Sequence, residues 1–103
     1  MFNIGGTEYT LKYTLNRVEM IEKATDKPLM AELKQHNGLL SVFGLKMYLA
    51  YGLKKAENGS GFLNPKQGLD YATALMEQCD YSELIGAVLE ALQRDCPFFF
   101  PAA

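Results

Sequence analysis

Residues 39–53 read LLSVFGLKMYLAYGL. Apolar side chains run round nearly the whole helical circumference there, and Lys46 is the only charge. A helix with no polar face has no side to turn to water, so it belongs at the centre, wrapped by other helices or shared with a neighbouring subunit. Gly44 and Gly52 each cost about 1 kcal/mol against alanine in a helix interior, which marks them as points of close helix contact. The remaining segments are therefore expected to be the wrapping.

Upstream, residues 2–15 (FNIGGTEYTLKYTL) alternate. Tyr9, Leu11, Tyr13 and Leu15 fall on one face, with Thr10, Lys12 and Thr14 on the other, the period of a half-buried strand. Gly5-Gly6 is a two-residue hairpin signal, with Phe2 and Ile4 supplying the partner strand. A lone hairpin is marginal in water, so its apolar face must lie on helices or pair with another chain's edge. The period then becomes helical: Leu15, Val18 and Ile21 recur at helical spacing, with Met20 and Ala24 in the same register. Thr14 or Asn16 can cap this helix, and it ends near Thr25, before Asp26-Lys27-Pro28. A short helix from Pro28 to about Gln35 buries Leu29, Met30 and Leu33, and Asn37-Gly38 stops it in the left-handed conformation.

Downstream, ENGSG (57–61) is a loop. Asn64-Pro65-Lys66-Gln67 combines a capping asparagine, proline at the first helical position and glutamine three residues after the cap. Leu69, Ala72, Leu75, Met76 and Cys79 line one face of that helix. Asp80-Tyr81-Ser82-Glu83 is a capping box opening a last helix, with Leu84, Ile85, Val88, Leu89 and Leu92 inward and Pro97 at its end. The expected fold class is α+β, mainly α: an N-terminal β-hairpin over 2–14, then a bundle of four to five helices across about 15–95. A single domain spans 1–96, and an apolar tail occupies 97–103.

Bulk properties limit the function. The 103 residues match one domain, and 49% hydrophobic with 21% charged residues describes a folded chain. The formal net charge is −2. Lys54-Lys55 is the only adjacent basic pair, so no stripe for nucleic acid exists. The longest uncharged apolar run is far short of a membrane span. The start MFNIGGTEY has neither a basic n-region nor an apolar h-region, so no signal peptide is expected. Cys79 and Cys96, with one histidine, cannot build a structural zinc site and are expected to be reduced thiols, Cys79 packed and Cys96 more exposed.

Chemistry-bearing groups are scattered. His36 lies in the polar turn KQHNG. Glu19 with Glu22 reads as a solvated face, and Asp80 with Glu83 as a cap. GGTEY and NGSGFLNP lack the context of a phosphate loop. Tyr48 and Tyr51 project from the central helix as core or interface residues rather than as a platform for bases. No catalytic residue, cofactor site, metal site or small-molecule substrate is expected.

The order of parts carries a resemblance. LKYT (11–14) runs straight into a helix holding the stretch E-x-x-T-x-K-P-L, here Glu22, Thr25, Lys27, Pro28 and Leu29, followed by the apolar central helix and a ragged tail. The chain resembles, over almost its full length, the tail assembly chaperones of long-tailed bacteriophages and prophages, although Asp26 stands where glycine is common. Its shared residues determine fold, not function. The resemblance implies a non-enzymatic helical protein of the host cytoplasm, absent from the mature virion. Such a protein self-associates, binds and solubilises the tape measure protein, and helps recruit tail tube subunits, with no nucleic acid, membrane or cofactor involved. It also implies a programmed frameshift, for which Phe98–Phe100 would be a slippery run of uridines in the message. In PFFFP, Phe98, Phe99 and Phe100 otherwise pack on their own domain or, with Tyr48 and Tyr51, anchor a partner or another copy. The rival expectation is a small phage structural or head-tail adaptor protein, retained in the virion. A small-molecule-binding helical domain would need a polar-lined pocket.

Overall fold

The computed structural model describes residues 2–57 and 61–100. Two strands open the chain, β1 (Phe2–Ile4) and β2 (Thr7–Leu11), antiparallel with Ile4 opposite Thr7. Gly5 and Gly6 turn between them at φ of 59° and 87°, the doubly left-handed turn that matches the twist of flanking strands. Tyr9, Leu11 and Tyr13 are buried on one face, as the alternation requires. Leu15 breaks from the series and is half exposed, because Thr14 ends the strand period by capping the next helix through its bond from Arg17 N–H (3.0 Å).

Helix α1 (Leu15–Thr25) buries only Val18 and Ile21, a narrower stripe than expected, and Met20 and Ala24 face solvent. Flanking positions are polar and satisfy the joints. Arg17 Nε donates to Tyr51 O, and Glu22 accepts the first helical N–H of α2 (Leu29–Gln35) at Leu29, 2.7 Å. Asp26 takes the left-handed conformation between them (φ 57°, ψ 34°), the role a glycine commonly fills. In α2, Leu29 and Leu33 are buried and Met30 is exposed, contrary to expectation. Asn37 and Gly38 both adopt positive φ beyond it.

The apolar stretch forms α3 (Val42–Gly52), shorter than 39–53 at its start because Ser41 Oγ caps it by accepting from Gly44 N–H. It packs on α1, on α4 (Pro65–Gln78), on α5 (Tyr81–Asp95) and on β2. Sequence reasoning missed a third strand. Leu53 N–H still closes the last helical turn, but the chain then extends as β3 (Leu53–Lys55), where a helix end was expected. It completes an antiparallel sheet of order β1-β2-β3 with Leu11 opposite Leu53. The hairpin thus finds its partners, a third strand and the helices, within its own chain. Residues 58–60 of the expected ENGSG loop and 101–103 of the expected tail lie outside the described residues.

Close approaches explain three glycines. Gly44 lies against the Glu32 carboxylate and Gly52 against the Tyr13 ring, so both are contacts with side chains rather than between helix backbones. The backbone-to-backbone contact is Gly68 of α4, whose missing Cβ admits the Ala50 carbonyl. The caps Asn64 and Asp80 act as read, accepting from Gln67 and Glu83 N–H.

Arg94 and Asp95 pin the end of α5 to the end of β2 and the residues just after it. The Asp95 carboxylate accepts from Tyr13 N–H (3.0 Å), Arg94 Nε (2.8 Å) and Lys12 Nζ (3.4 Å), while Arg94 Nη2 donates to Leu11 O. Burial pushes the Asp95 carboxyl up, but Arg94, the Tyr13 N–H and Lys12 together outweigh it and hold it at about 2. The next residue, Cys96, is buried with Sγ 3.6 Å from Tyr13 O, and Cys79 is the half-buried cysteine, reversing their expected order.

Gly68→Ala must push backbones apart and lowers stability by about 1–3 kcal/mol. Gly86→Ala in α5, where an added Cβ meets nothing within 4 Å, raises it by about 0.5–1 kcal/mol, both read by thermal unfolding. Asp95 titrates lower folded than unfolded, so its contribution is whole above about pH 5 and drains as pH falls towards 2. Asp95→Asn flattens that acid limb in urea denaturation followed across pH.

Candidate protein-binding surface

The covering of α3 runs out at its first turn. Val42 is 69% exposed, Phe43 55% and Leu39 48%. These side chains stand on a rigid base. Glu32 of α2 is buried, and its Oε1 accepts from both Ser41 N–H (3.1 Å) and Ser41 Oγ (3.0 Å). Any Cβ at residue 44 would collide with that oxygen, so glycine there makes room for the clamp. From the other side Tyr81 Oη donates to Leu40 O (2.6 Å) and accepts from Leu40 N–H (3.0 Å). Leu40 goes inward, and Leu39, Val42 and Phe43 are left pointing out. A buried carboxylate and a doubly bonded tyrosine fix this corner, so its exposure is built rather than a frayed end.

Beside it runs an open apolar groove of about 530 Å³ between α2 and α5. Met30, Leu33, Leu89 and Phe100 of the tail line it, together with Lys34, Gly38 and Gln93. The tail segment turns after Cys96 through Phe99 N–H to Cys96 O and Phe100 N–H to Pro97 O. Phe99 and Phe100 are half buried against the core. Phe98 is 76% exposed and meets Phe99 edge-on at 5.2 Å. Half-burying two phenylalanine side chains returns about 1.5–3 kcal/mol, and the two turn hydrogen bonds about 1 kcal/mol each. Fixing four residues costs about 4–8 kcal/mol of backbone entropy. The tail therefore rests on its domain close to energetic balance.

The other expected anchors separate. Tyr48 is only 1% exposed, so it belongs to the core and offers nothing to a partner or a second copy. It accepts Tyr13 Oη on its carbonyl at 2.6 Å, while its own hydroxyl finds no partner among the described residues. Burial, with Glu22 and Glu32 nearby, pushes its hydroxyl pKa up. Tyr51 is half buried under the Arg17 guanidinium (5.3 Å), which also covers Phe62 (4.1 Å) and so ties the 62–64 segment to α1. Sequence reasoning missed Leu39, Val42, Phe43 and Glu32. Ser41, three residues before Gly44, was the available sign of a helix start there, leaving the residues around it at an open end.

Groups with reactive potential do not converge. His36 is exposed at the end of α2. Burial raises the pKa of both thiols, away from nucleophilic character. Among the described residues no three His, Cys, Asp or Glu side chains are placed to share a metal ion. A shallow polar depression at the sheet edge gathers Lys12, Lys54, Lys55 and Arg94, but Lys12 and Arg94 are already engaged by Asp95. No described helix is long and apolar enough to cross a membrane. The feature with most capacity to act is exposed apolar surface.

Glu32→Ala strands the Ser41 donors and lowers stability by about 1–3 kcal/mol, while Glu32→Gln keeps an oxygen acceptor and loses less, as guanidinium denaturation will show. Comparison of this chain with protein-family models, with curated proteins and with solved structures yields no match.

Proposed function

We propose that this chain is a phage tail assembly chaperone. It binds and solubilises the tape measure protein in the host cytoplasm and helps recruit tail tube subunits. The observation that carries this reading is the fixed apolar corner of Leu39, Val42 and Phe43, to which the tail adds an exposed Phe98. A tape measure is a long helix-rich chain whose apolar stripes aggregate when bare. A helical protein that keeps large apolar side chains in water has the complementary surface, read at helix spacing by its client. Each contact is small, so many copies along one client give avidity while each copy stays displaceable by arriving tube subunits. The stretch from Leu11 to Leu29 that resembles such chaperones supports the same reading.

Self-association belongs to this proposal. Copies lining one client would meet through the same kind of surface, and sedimentation should show species larger than monomer at high concentration.

The test is co-expression with a tape measure protein, the long helix-rich client this reading requires. The chaperone should keep that protein soluble and co-purify with it. Val42→Asp with Phe43→Asp, both exposed, should leave the fold intact and weaken the complex by roughly a hundredfold, as two apolar anchors of about 1.5 kcal/mol each imply. Mass spectrometry of finished virions should lack this chain. Its presence there in fixed copy number marks an adaptor instead and overturns the reading.

A further inference from the structure

We propose that Tyr48, Glu22 and Glu32 hold one buried water molecule where α1, α2 and α3 meet. The Tyr48 side chain calls for it. The residue is 1% exposed, and its hydroxyl meets no partner among the described residues. A buried hydroxyl without a partner is costly, and native interiors supply one from protein or from ordered water.

Gly44, Tyr48 and Gly52 follow at four-residue steps along one face of α3. The Tyr13 ring lies against Gly52, and the Glu32 carboxylate lies against Gly44, its Oε1 2.7 Å from where a Cβ would stand. Helical tyrosines lean towards the helix N-terminus, which takes the Tyr48 hydroxyl away from Tyr13 and towards that carboxylate. Burial first, then Glu22, Glu32 and Cys96, push the hydroxyl pKa up, so it keeps its proton and can donate.

Neither carboxylate is free to swing onto Tyr48, because each is committed to a backbone joint. Glu22 Oε2 accepts from Leu29 N–H at 2.7 Å, and Glu32 Oε1 accepts from Ser41 N–H and Oγ. Their other oxygens, Glu22 Oε1 and Glu32 Oε2, make no hydrogen bond among the described residues. Cys96 Sγ is turned to the Tyr13 carbonyl instead. One donor and two acceptors held apart are complementary to a single water, which accepts from Tyr48 Oη and donates one proton to each carboxylate. About three hydrogen bonds are the usual complement of a buried water. The water ties the α1–α2 joint at Leu29 to the α2–α3 joint at Ser41, and the site belongs to the fold whatever the exposed corner binds.

A high-resolution crystal structure of the chain tests this, with Tyr48→Phe as its companion. The parent should show one density peak within hydrogen-bonding distance of Tyr48 Oη and both carboxylates, with no anomalous signal after a rubidium soak. Tyr48→Phe should fold, as circular dichroism will verify, and melt about 4–8 °C lower than the parent because the bridge is lost. The proposal is overturned if the peak is absent or is a cation, or if Tyr48 Oη bonds a carboxylate directly. It is equally overturned if Tyr48→Phe melts at or above the parent temperature, the result a dry, unpaired hydroxyl would give.

Discussion

A helix that is apolar on all sides demands cover along its whole length, and the architecture is the set of answers to that demand. Over its middle and last turns α3 is met by α1, α4, α5 and β2. The tightest answer is the bare Cα of Gly68 against the Ala50 backbone, which lets α4 lie on α3 without a side chain between them. At the C-terminal end the chain leaves the helix directly as β3 and closes the sheet over the same core. At the first turn the cover is one-sided, and there Val42 and Phe43 stand in water. A protein of this size has many ways to hide two side chains. Here a buried carboxylate and a tyrosine bonded twice to one residue keep them out.

That arrangement separates rigidity from exposure. The α2–α3 joint is over-determined, with Glu32 fixing Ser41, and Tyr81 fixing Leu40. The C-terminal segment is the reverse: firmly pinned through Asp95 and Cys96, then held, among the described residues, by two half-buried rings and two turn hydrogen bonds. A rigid apolar corner presents binding surface at little ordering cost. A loosely seated segment gives up its place at small cost. Together they combine a fixed apolar surface with a segment that is only lightly held.

The local decisions were legible in the sequence. Gly5-Gly6 with the Tyr9–Leu11–Tyr13 alternation marked the hairpin, and Asn64 and Asp80 marked two helix starts, with a third narrowed to Thr14 or Asn16, because each rests on hydrogen bonds within a few residues. The centrality of α3 was legible from composition alone. What was not legible depends on distant partners. Leu53–Lys55 follows a helix without a break signal and becomes a strand only because β2, far back in the chain, offers it an edge, Leu11 opposite Leu53. Glu32 looks like a surface residue until the Ser41 donors and the Gly44 gap are brought beside it. Cys96 looks like a chain-end thiol until it is seated at the Tyr13 carbonyl. The candidate surface was hidden for a related reason: an all-apolar helix has no sequence-visible face, so nothing in residues 39–53 says which of them will lack a neighbour. Tyr48, chosen for its type, proved to be interior, while Val42 and Phe43, not singled out, are the exposed ones.

The central claim is that the uncovered first turn of α3 is where a client helix is held. Hydrogen–deuterium exchange of the chain, free and saturated with a soluble fragment of the proposed client, a tape measure protein, addresses it most directly. The account requires slowed exchange across the α2–α3 joint and the first turn of α3, about residues 36–46, with β1 and β2 unchanged. Protection confined to the hairpin or the sheet edge, with that turn exchanging as before, would contradict it.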